Sequence, residues 1–179
     1  MNVMKTLCIT TVLLVVAATL VRAQQRRTPD IHFVPTRQTI AEAMLKMAGV
    51  TDADVVYDLG SGDGRIVITA AQRFGARGVG IELDPKLVGI SQQVAKEGGV
   101  SDRVRFIEGD LFKSDISGAT VVTLFLSNTV NMRLEPKLKR ELRPGTRIVS
   151  QRFPIGTWPP EKAIQVEGET LMLWTVPAR

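Results

Sequence analysis

The feature that most constrains this chain is a glycine-rich turn that follows a short apolar run. Residues 55–59 read Val-Val-Tyr-Asp-Leu, residues 60–65 read Gly-Ser-Gly-Asp-Gly-Arg, and a helix-like apolar pattern begins at Ile66. A buried parallel strand reads as a short, nearly continuous apolar run, and glycines allow tight turns and the close approach of a ligand. The first N–H groups of the following helix have no partner within the helix. The stretch therefore predicts a strand, a nucleotide-binding turn and a helix.

The charges around this turn favour a cationic ligand over a dinucleotide. The dinucleotide fingerprint G-x-G-x-x-G requires its third glycine at the position that Arg65 occupies here. Two acids, Asp58 and Asp63, flank the loop, and carboxylates repel a pyrophosphate but attract an ammonium group. We therefore expect a phosphate-free nucleoside with a cationic tail, such as S-adenosylmethionine. A turn that binds nothing is the alternative, and this density of glycines and acids argues against it.

The first 23 residues are predicted to be a signal peptide or a membrane anchor. Lys5 precedes an apolar, uncharged run at residues 6–21, and small residues follow where a signal peptidase cleaves. As a helix the run would span about 24 Å, which is short for the ~30 Å core of a bilayer and favours cleavage; uncleaved, it would contact the membrane. We expect a product that is exported, periplasmic or secreted, or membrane-anchored. The predicted organisation is a signal peptide or anchor (1–23), a flexible linker (24–30) and one domain (31–179).

Downstream of the glycine turn, strand-like and helix-like segments alternate. Upstream of that turn, a helix is expected after Pro35 and Thr36, and Thr39 and Glu42 are expected to form a capping box at its start. About a dozen residues separate the third and fourth strands, too few for a regular crossover helix. This order predicts an α/β fold with a mostly parallel sheet, helices on both faces and an antiparallel C-terminal hairpin. The predicted strands are 55–59, 78–82, 104–107, 120–126 and 146–150, and the predicted hairpin strands are 163–166 and 170–176.

Ligands of an open α/β sheet bind outside the carboxyl ends of its strands, so residues at those ends are candidate cofactor contacts. The first strand ends in Asp58 and the glycine loop. The second ends in Glu82, 22 residues after Gly60, which suits a carboxylate that accepts hydrogen bonds from ribose hydroxyls. Asp110 and Leu111 follow the third strand and would bind the amino group and ring face of an adenine. Simple helix capping or strand termination is the alternative for these acids.

The fourth and fifth strands end in candidate substrate contacts. Ser127 and Asn128 follow the fourth strand, where an acceptor would meet the cofactor; both are also common helix-capping residues. Phe153 and Trp158 follow the fifth strand and would line an acceptor channel, although the tryptophan is equally suited to covering the edge of the core.

Three motifs together resemble the class I S-adenosylmethionine-dependent methyltransferases: residues 58–64, Glu82, and the Gly-Asp-Leu step at 109–111. Residues 33–36 and 58–68, with Arg152-Phe153-Pro154 and Thr157-Trp158, resemble a narrower group, the small membrane-linked protein-lysine methyltransferases. That group includes the mitochondrial enzymes acting on the ADP/ATP carrier and on the ATP synthase c-subunit, together with bacterial relatives. The resemblance covers roughly residues 31–176.

This resemblance implies a Rossmann-like sheet, S-adenosylmethionine as cofactor and a protein lysine as methyl acceptor, in a membrane-associated substrate. It implies that Pro35 and Thr36 close over the cofactor and that the tip of the fourth strand faces the acceptor nitrogen. The predicted cofactor-binding residues are Pro35, Thr36, Asp58, Gly60, Ser61, Gly62, Asp63, Gly64, Glu82, Asp110 and Leu111. Because the cofactor is already activated, catalysis needs mainly positioning and desolvation, so no catalytic base is assigned.

Other functions stay open at this point. They are a methyltransferase for RNA or a small molecule, a nucleotide-linked oxidoreductase on the same sheet, and a non-catalytic module that binds S-adenosylmethionine. Without residues 1–23 the net charge falls from +5 to +3, and aromatic residues make up 5% of the chain, so no clear nucleic-acid face is predicted. His32 is the only histidine and the only cysteine lies in the N-terminal segment, so no metal site is predicted.

Overall fold

The computed structural model describes residues 34–178, which contain seven strands of one sheet and four helices. The strands are β1 (Val55–Leu59), β2 (Arg77–Glu82), β3 (Val104–Glu108), β4 (Val121–Leu124), β5 (Arg147–Gln151), β6 (Lys162–Val166) and β7 (Glu169–Thr175). The helices are α1 (Gln38–Met47), α2 (Arg65–Phe74), α3 (Pro85–Glu97) and α4 (Asn128–Glu141).

The sheet has the order β3-β2-β1-β4-β5-β7-β6. Strands β1 to β5 pair in parallel, and β7 is antiparallel to both β5 and β6. The chain moves outward from β1 through β2 to β3, and then returns to the other side of β1 as β4 and β5. The order therefore reverses between β1 and β4, which is where ligands of such sheets bind. The prediction of a mostly parallel sheet with an antiparallel C-terminal hairpin is confirmed.

Helices cover both faces of the sheet, and each face has its own apolar core. On one face, Leu134 and Leu138 of α4 are fully buried and belong to the same cluster as Ile148 and Trp174. On the other face, α1 and α2 contribute to a second cluster that includes Ile40, Met44, Ile66 and Val67, and α3 packs against α2 through a small third one. The β3–β4 connection has no α-helix, as predicted from its length.

The start of α1 differs from the prediction. The helix begins at Gln38, and its N-cap residue, Arg37, makes no side-chain capping bond. The Thr39 hydroxyl donates to the carboxylate of Glu167 at 2.9 Å instead. The predicted capping box is therefore wrong, because the tight turn between β6 and β7 brings an acceptor from outside the helix to this threonine.

Several predictions lie outside the described residues. They concern the signal peptide or anchor, the linker, His32 and Phe33, all within residues 1–33. Between residues 34 and 178, none of the helices has the length and apolar character needed to cross a bilayer.

Candidate active site

The parallel strands bring the sequence-predicted residues to one edge of the sheet. In the register of the sheet, Asp58 lies opposite Gly80 of β2 and Thr123 of β4. Glu82 at the end of β2 lies opposite Glu108 of β3. The edge between β1 and β4, where the strand order reverses, is thus lined by the glycine turn and by side chains from both neighbouring strands.

The glycine turn requires glycine for two separate reasons. Gly60, Gly62 and Gly64 have φ angles of +81°, +54° and +78°, a region that residues with a Cβ atom rarely adopt. Space is also lacking, because a Cβ atom on Gly60 would lie 2.8 Å from Leu126 and one on Gly64 would lie 2.5 Å from Phe106. Gly60 is exposed whereas Gly62 and Gly64 are buried, so a ligand at this turn would meet the backbone at Gly60.

Glu82 ties the end of β2 to the glycine turn. One carboxylate oxygen accepts from the Gly62 N–H at 2.9 Å, and the other accepts from the N–H groups of Leu83 and Asp84 at 2.8 and 2.9 Å. A carboxylate offers about four acceptor positions, so three are occupied by the backbone. The predicted contact with ribose hydroxyls stays a prediction, and it would use the remaining capacity of a side chain that also holds the loop in place.

Asp58 is a buried acid at the tip of β1. It is 3% exposed, and one carboxyl oxygen accepts from the Thr123 hydroxyl at 2.7 Å. Burial raises the pKa of Asp58 to about 7; the charges of Glu82 and Asp63 also raise it, while the hydrogen bond from Thr123 lowers it. Near neutral pH this carboxyl therefore divides between its neutral and charged forms, and a cation placed beside it would favour the charged form.

Asp63 is not a free charge, which corrects the electrostatic interpretation of the sequence. The guanidinium of Arg65 donates to both of its carboxylate oxygens, with Nε lying 2.9 Å from Oδ1. Arg65 also donates through Nη1 to the carbonyl oxygen of Thr36 at 2.6 Å. The expectation that both flanking acids would repel a pyrophosphate is therefore corrected, because Asp63 is paired with Arg65. Among the described residues at this edge, Asp58 and Glu82 are acids without a salt bridge.

The segment before α1 crosses this edge of the sheet as a strap, defined here as residues 34–37. Thr36 is 5% exposed, and its hydroxyl donates to Oε1 of Gln151, the last residue of β5, at 3.2 Å. Because its carbonyl is held by Arg65, the strap connects the end of β5 with the start of α2. Pro35 lies exposed on the strap. That Pro35 and Thr36 close over a ligand stays a prediction.

The residues that follow β3 are placed near the same edge. The carboxylate of Asp110 accepts from the N–H of Phe112 at 2.9 Å, which stabilises the turn after the strand. Leu111 is partly buried and packs against the core on the α4 face. Their contacts with an adenine stay predictions.

The predicted acceptor side is made of residues with structural roles of their own. Ser127 is the N-cap of α4 and accepts from the Val130 N–H at 3.3 Å, so it has the capping role that serines often take before a helix. Asn128 is exposed at the first position of the helix. Trp158 is partly buried; its carbonyl accepts from the indole of Trp174 at 2.9 Å, so it does cover the edge of the core.

Sequence reasoning missed the side chains that support these positions. Thr123 is fully buried beside Asp58, and Asn131 and Ser150 are fully buried behind Phe153. A signal for Asn131 was present, because it precedes Leu134 by three residues and so shares the apolar face of α4. Within residues 34–178, two buried side-chain polar atoms have no hydrogen-bond partner: the hydroxyl of Ser61 and Oδ1 of Asn131.

Comparison with known proteins identifies the family. A family model described as the ANTKMT methyltransferase domain matches residues 58–162. A protein-lysine N-methyltransferase from Saccharolobus islandicus is 45% identical over 140 residues, which are 78% of this chain and 87% of that protein. The lysine N-methyltransferase of Xenopus laevis that is named for the ATP synthase c-subunit is 39% identical over 131 residues, 73% of this chain. The match covers 57% of that protein, so this chain spans little more than half of its length.

One solved structure shares this fold over nearly the whole length of its own chain. It is an RNA methyltransferase from Salinibacter ruber in complex with S-adenosyl-L-homocysteine, 53% identical with a TM-score of 0.80. The match covers 82% of this chain and 95% of that one. The sheet order, the glycine turn and these matches agree, and the chain belongs to the family of the ANTKMT methyltransferase domain, with the Rossmann-like fold of class I methyltransferases.

Proposed function

We propose that this chain transfers the methyl group of S-adenosylmethionine to the side-chain nitrogen of a lysine in a protein. Family membership makes it a methyltransferase that uses S-adenosylmethionine. The observation that carries the choice of lysine is the match to the archaeal protein-lysine N-methyltransferase, which extends over 87% of that protein. The Xenopus relative, named for lysine methylation of the ATP synthase c-subunit, supports the same class of acceptor.

The residues at the sheet edge fit S-adenosylmethionine. Gly60 is exposed in the glycine turn, and a Cβ atom there would lie 2.8 Å from Leu126, so a ligand can approach its backbone. Asp58 is a buried carboxyl with a raised pKa, which the amino group of the methionine part would convert to its charged form. We assign the ribose to Glu82, the adenine to Asp110 and Leu111, and the cover to the strap.

The chain's own contribution is to hold the acceptor, orient it and exclude water. When bound, the cofactor supplies a methyl group on a positively charged sulfur, which is already activated for displacement. The acceptor nitrogen must present a free lone pair in line with that methyl group. The pKa of a lysine in water is about 10.4, and an apolar surface lowers it because the charged form is disfavoured there. We assign that role to the rings of Phe153 and Trp158.

RNA is the second candidate acceptor, because the Salinibacter ruber relative is named an RNA methyltransferase. The charge of this chain favours a protein over RNA. Residues 34–178 carry 18 Lys or Arg and 17 Asp or Glu residues, whereas nucleic-acid-binding domains usually have a marked basic excess on one face. Protease and ribonuclease treatment of a methyl-labelled product separates the two acceptors.

We also propose that residues 1–23 act as a signal peptide or anchor and that the acceptor is membrane-associated. The support is the apolar, uncharged run at residues 6–21. Fractionation of cells that express the full chain tests this, because an anchored protein sediments with membranes and a cleaved one begins near Gln24. Full-length protein in the soluble cytoplasmic fraction would contradict both alternatives.

The acceptor is identified by transfer of a labelled methyl group. The full chain is incubated with tritiated S-adenosylmethionine and with the membrane and soluble fractions of the source cells. We expect acid-insoluble label that protease removes and ribonuclease does not, and methyl-lysine after acid hydrolysis. Asp58→Asn should lose most of the label, whereas Asp102→Asn, in the exposed turn before β3, should retain it. Label that ribonuclease removes would assign RNA as the acceptor instead.

A further inference from the structure

Residues 151–153 form a strained turn directly after β5, here called the β5 turn. The N–H of Phe153 donates to the carbonyl of Gln151, two residues earlier, at 2.8 Å. The residue between them, Arg152, has a φ angle of +68°. A hydrogen bond between residues i and i+2 around a positive φ angle defines the rarer, strained form of the γ-turn. A non-glycine residue keeps such a conformation only where the surroundings impose it, and such residues cluster at functional sites.

Two elements outside the β5 turn hold its first two residues. The side chain of Gln151 accepts from Thr36, so the turn anchors the strap. The N–H of Arg152 donates to the carbonyl of Thr170 at 2.7 Å, and its guanidinium donates to the carboxylate of Glu169 at 2.7 Å. The hairpin formed by β6 and β7 therefore fixes the strained residue itself.

The third residue is held from α4. The carbonyl oxygen of Phe153 accepts from Nδ2 of Asn131 at 3.0 Å and from the Ser150 hydroxyl at 2.6 Å. Nδ2 of Asn131 also donates to the Ser150 oxygen at 3.2 Å, which closes a three-membered network. These bonds set the orientation of the amide, because the opposite orientation would place its oxygen against the carbonyl of Phe153.

This network contains one polar atom that is buried without a partner. Asn131 is 0% exposed, and its Oδ1 atom has no hydrogen-bond partner, which costs free energy in a protein interior. Replacing the amide by an apolar group of similar size would remove that cost, but it would also remove the two hydrogen bonds that Nδ2 donates to Ser150 and Phe153. An unsatisfied amide oxygen and a strained backbone therefore occur together behind Phe153, one of the residues on the acceptor side.

We propose that Asn131 is a positioning residue for the methyl acceptor. Its carboxamide holds the β5 turn in the strained form, and that form presents Phe153 as a wall of the acceptor site and Gln151 as the anchor of the strap. The inference rests on the proposed function only in taking this edge as the acceptor side. It holds equally for a lysine and for an RNA acceptor.

Two variants of similar size separate positioning from stability. Asn131→Leu removes both donors and the unsatisfied oxygen. Thr146→Val removes a buried hydrogen bond to the carbonyl of Ala119 before the start of β5, away from the site. For each, we would measure the dissociation constant of S-adenosylmethionine, the thermal midpoint, and methyl incorporation against the concentration of the total macromolecular fraction of a cell lysate. Ser150→Ala, which removes the other donor to Phe153, provides a third variant if the leucine variant does not fold.

We expect the half-saturating acceptor concentration of Asn131→Leu and Ser150→Ala to rise about tenfold or more, since small misplacements at a reacting centre have large effects. Cofactor affinity should stay within about twofold, because Arg65 still holds the strap through the carbonyl of Thr36. Thr146→Val should change neither quantity. Amide hydrogen exchange at residues 152 and 153 should accelerate about tenfold in Asn131→Leu and in Ser150→Ala but not in Thr146→Val, whatever the acceptor is.

The proposal would be overturned if Asn131→Leu changed neither the half-saturating acceptor concentration nor the amide exchange at the β5 turn. Equal effects in Thr146→Val would overturn it too. Label found in RNA refutes the lysine proposal but leaves the comparison between variants intact. If no lysate fraction is labelled, the proposed function fails. The exchange measurement by itself then decides whether Asn131 holds the β5 turn.

Discussion

The substitution Asp58→Asn tests whether the charge at the tip of β1 serves binding at the expense of stability. Burial raises the pKa of this carboxyl from 3.8 to about 7, so the native state holds a proton that the unfolded state releases between these pH values. The stability that this proton confers is complete below pH 3.8 and is lost as the pH rises to about 7. A pKa raised this far corresponds to a loss of about 4 kcal/mol in unfolding free energy once the pH is above both values. Asparagine does not ionise, so the variant does not suffer this loss.

Urea unfolding of both proteins at several pH values measures the effect. The difference in unfolding free energy should change in favour of Asp58→Asn by about 3 kcal/mol between pH 4.5 and pH 8, because other groups titrate alike in both proteins. The same substitution should weaken S-adenosylmethionine binding about tenfold to a hundredfold, since a hydrogen bond to a charged group is lost. A stability difference that stays constant with pH would refute the assignment of a buried, ionising carboxyl. Unchanged affinity would refute its role in binding.

Substitutions at Glu82, Gly64 and Arg152 test the surroundings of the site by urea unfolding, with Gly89 as a control position. Glu82→Gln should cost about 2 kcal/mol or more, because three backbone N–H groups lose their charged acceptor; no loss would mean that these bonds are not formed in solution. Gly64→Ala should lower the unfolding free energy by at least about 2 kcal/mol, since φ at this position is +78° and Phe106 occupies the space for a Cβ atom. Gly89→Ala in α3, where a Cβ atom meets open space, should instead raise the unfolding free energy by up to about 1 kcal/mol. Arg152→Gly should be more stable than Arg152→Ala by about 1 kcal/mol, because both lose the guanidinium and only alanine keeps the positive-φ strain; equal stabilities would mean that the β5 turn stores no strain at this residue.

The sheet and its cofactor edge were predictable because their signals are local. A strand that is buried on both faces is mostly apolar, and a turn with several positive φ angles favours glycine. The residues from Val55 to Gly64 satisfy both conditions in consecutive positions. Glu82 and Asp110 were then assigned to the same edge by counting strands, since carboxyl ends of parallel strands meet at one edge.

The acceptor side was less predictable because its determinants are distant in sequence. The β5 turn depends on Asn131 of α4, on Glu169 of β7 and on Thr36 of the strap. No local pattern predicts a positive φ at Arg152, where glycine would be the usual residue. The capping box failed for the same reason, because the hydroxyl of Thr39 finds its partner 128 residues away.

Substitution of Arg65 tests whether glycine spacing or the charge at the sheet edge selects the ligand. It stands where the dinucleotide fingerprint has glycine, and it pairs with Asp63 while its guanidinium also holds the carbonyl of Thr36. Arg65→Gly restores the fingerprint but leaves Asp58 and Glu82 unchanged, so it should still not bind NAD. It should weaken S-adenosylmethionine binding about tenfold by releasing the strap, since a hydrogen bond from a charged donor contributes about 1.5–3 kcal/mol. Arg73→Gly in the same helix, whose exposed side chain pairs with a glutamate at 3.5 Å, controls for the glycine itself. Calorimetric titration of each variant with NAD and with S-adenosylmethionine measures both affinities. NAD binding by Arg65→Gly would mean that glycine spacing, and not the charge at the sheet edge, selects the cofactor.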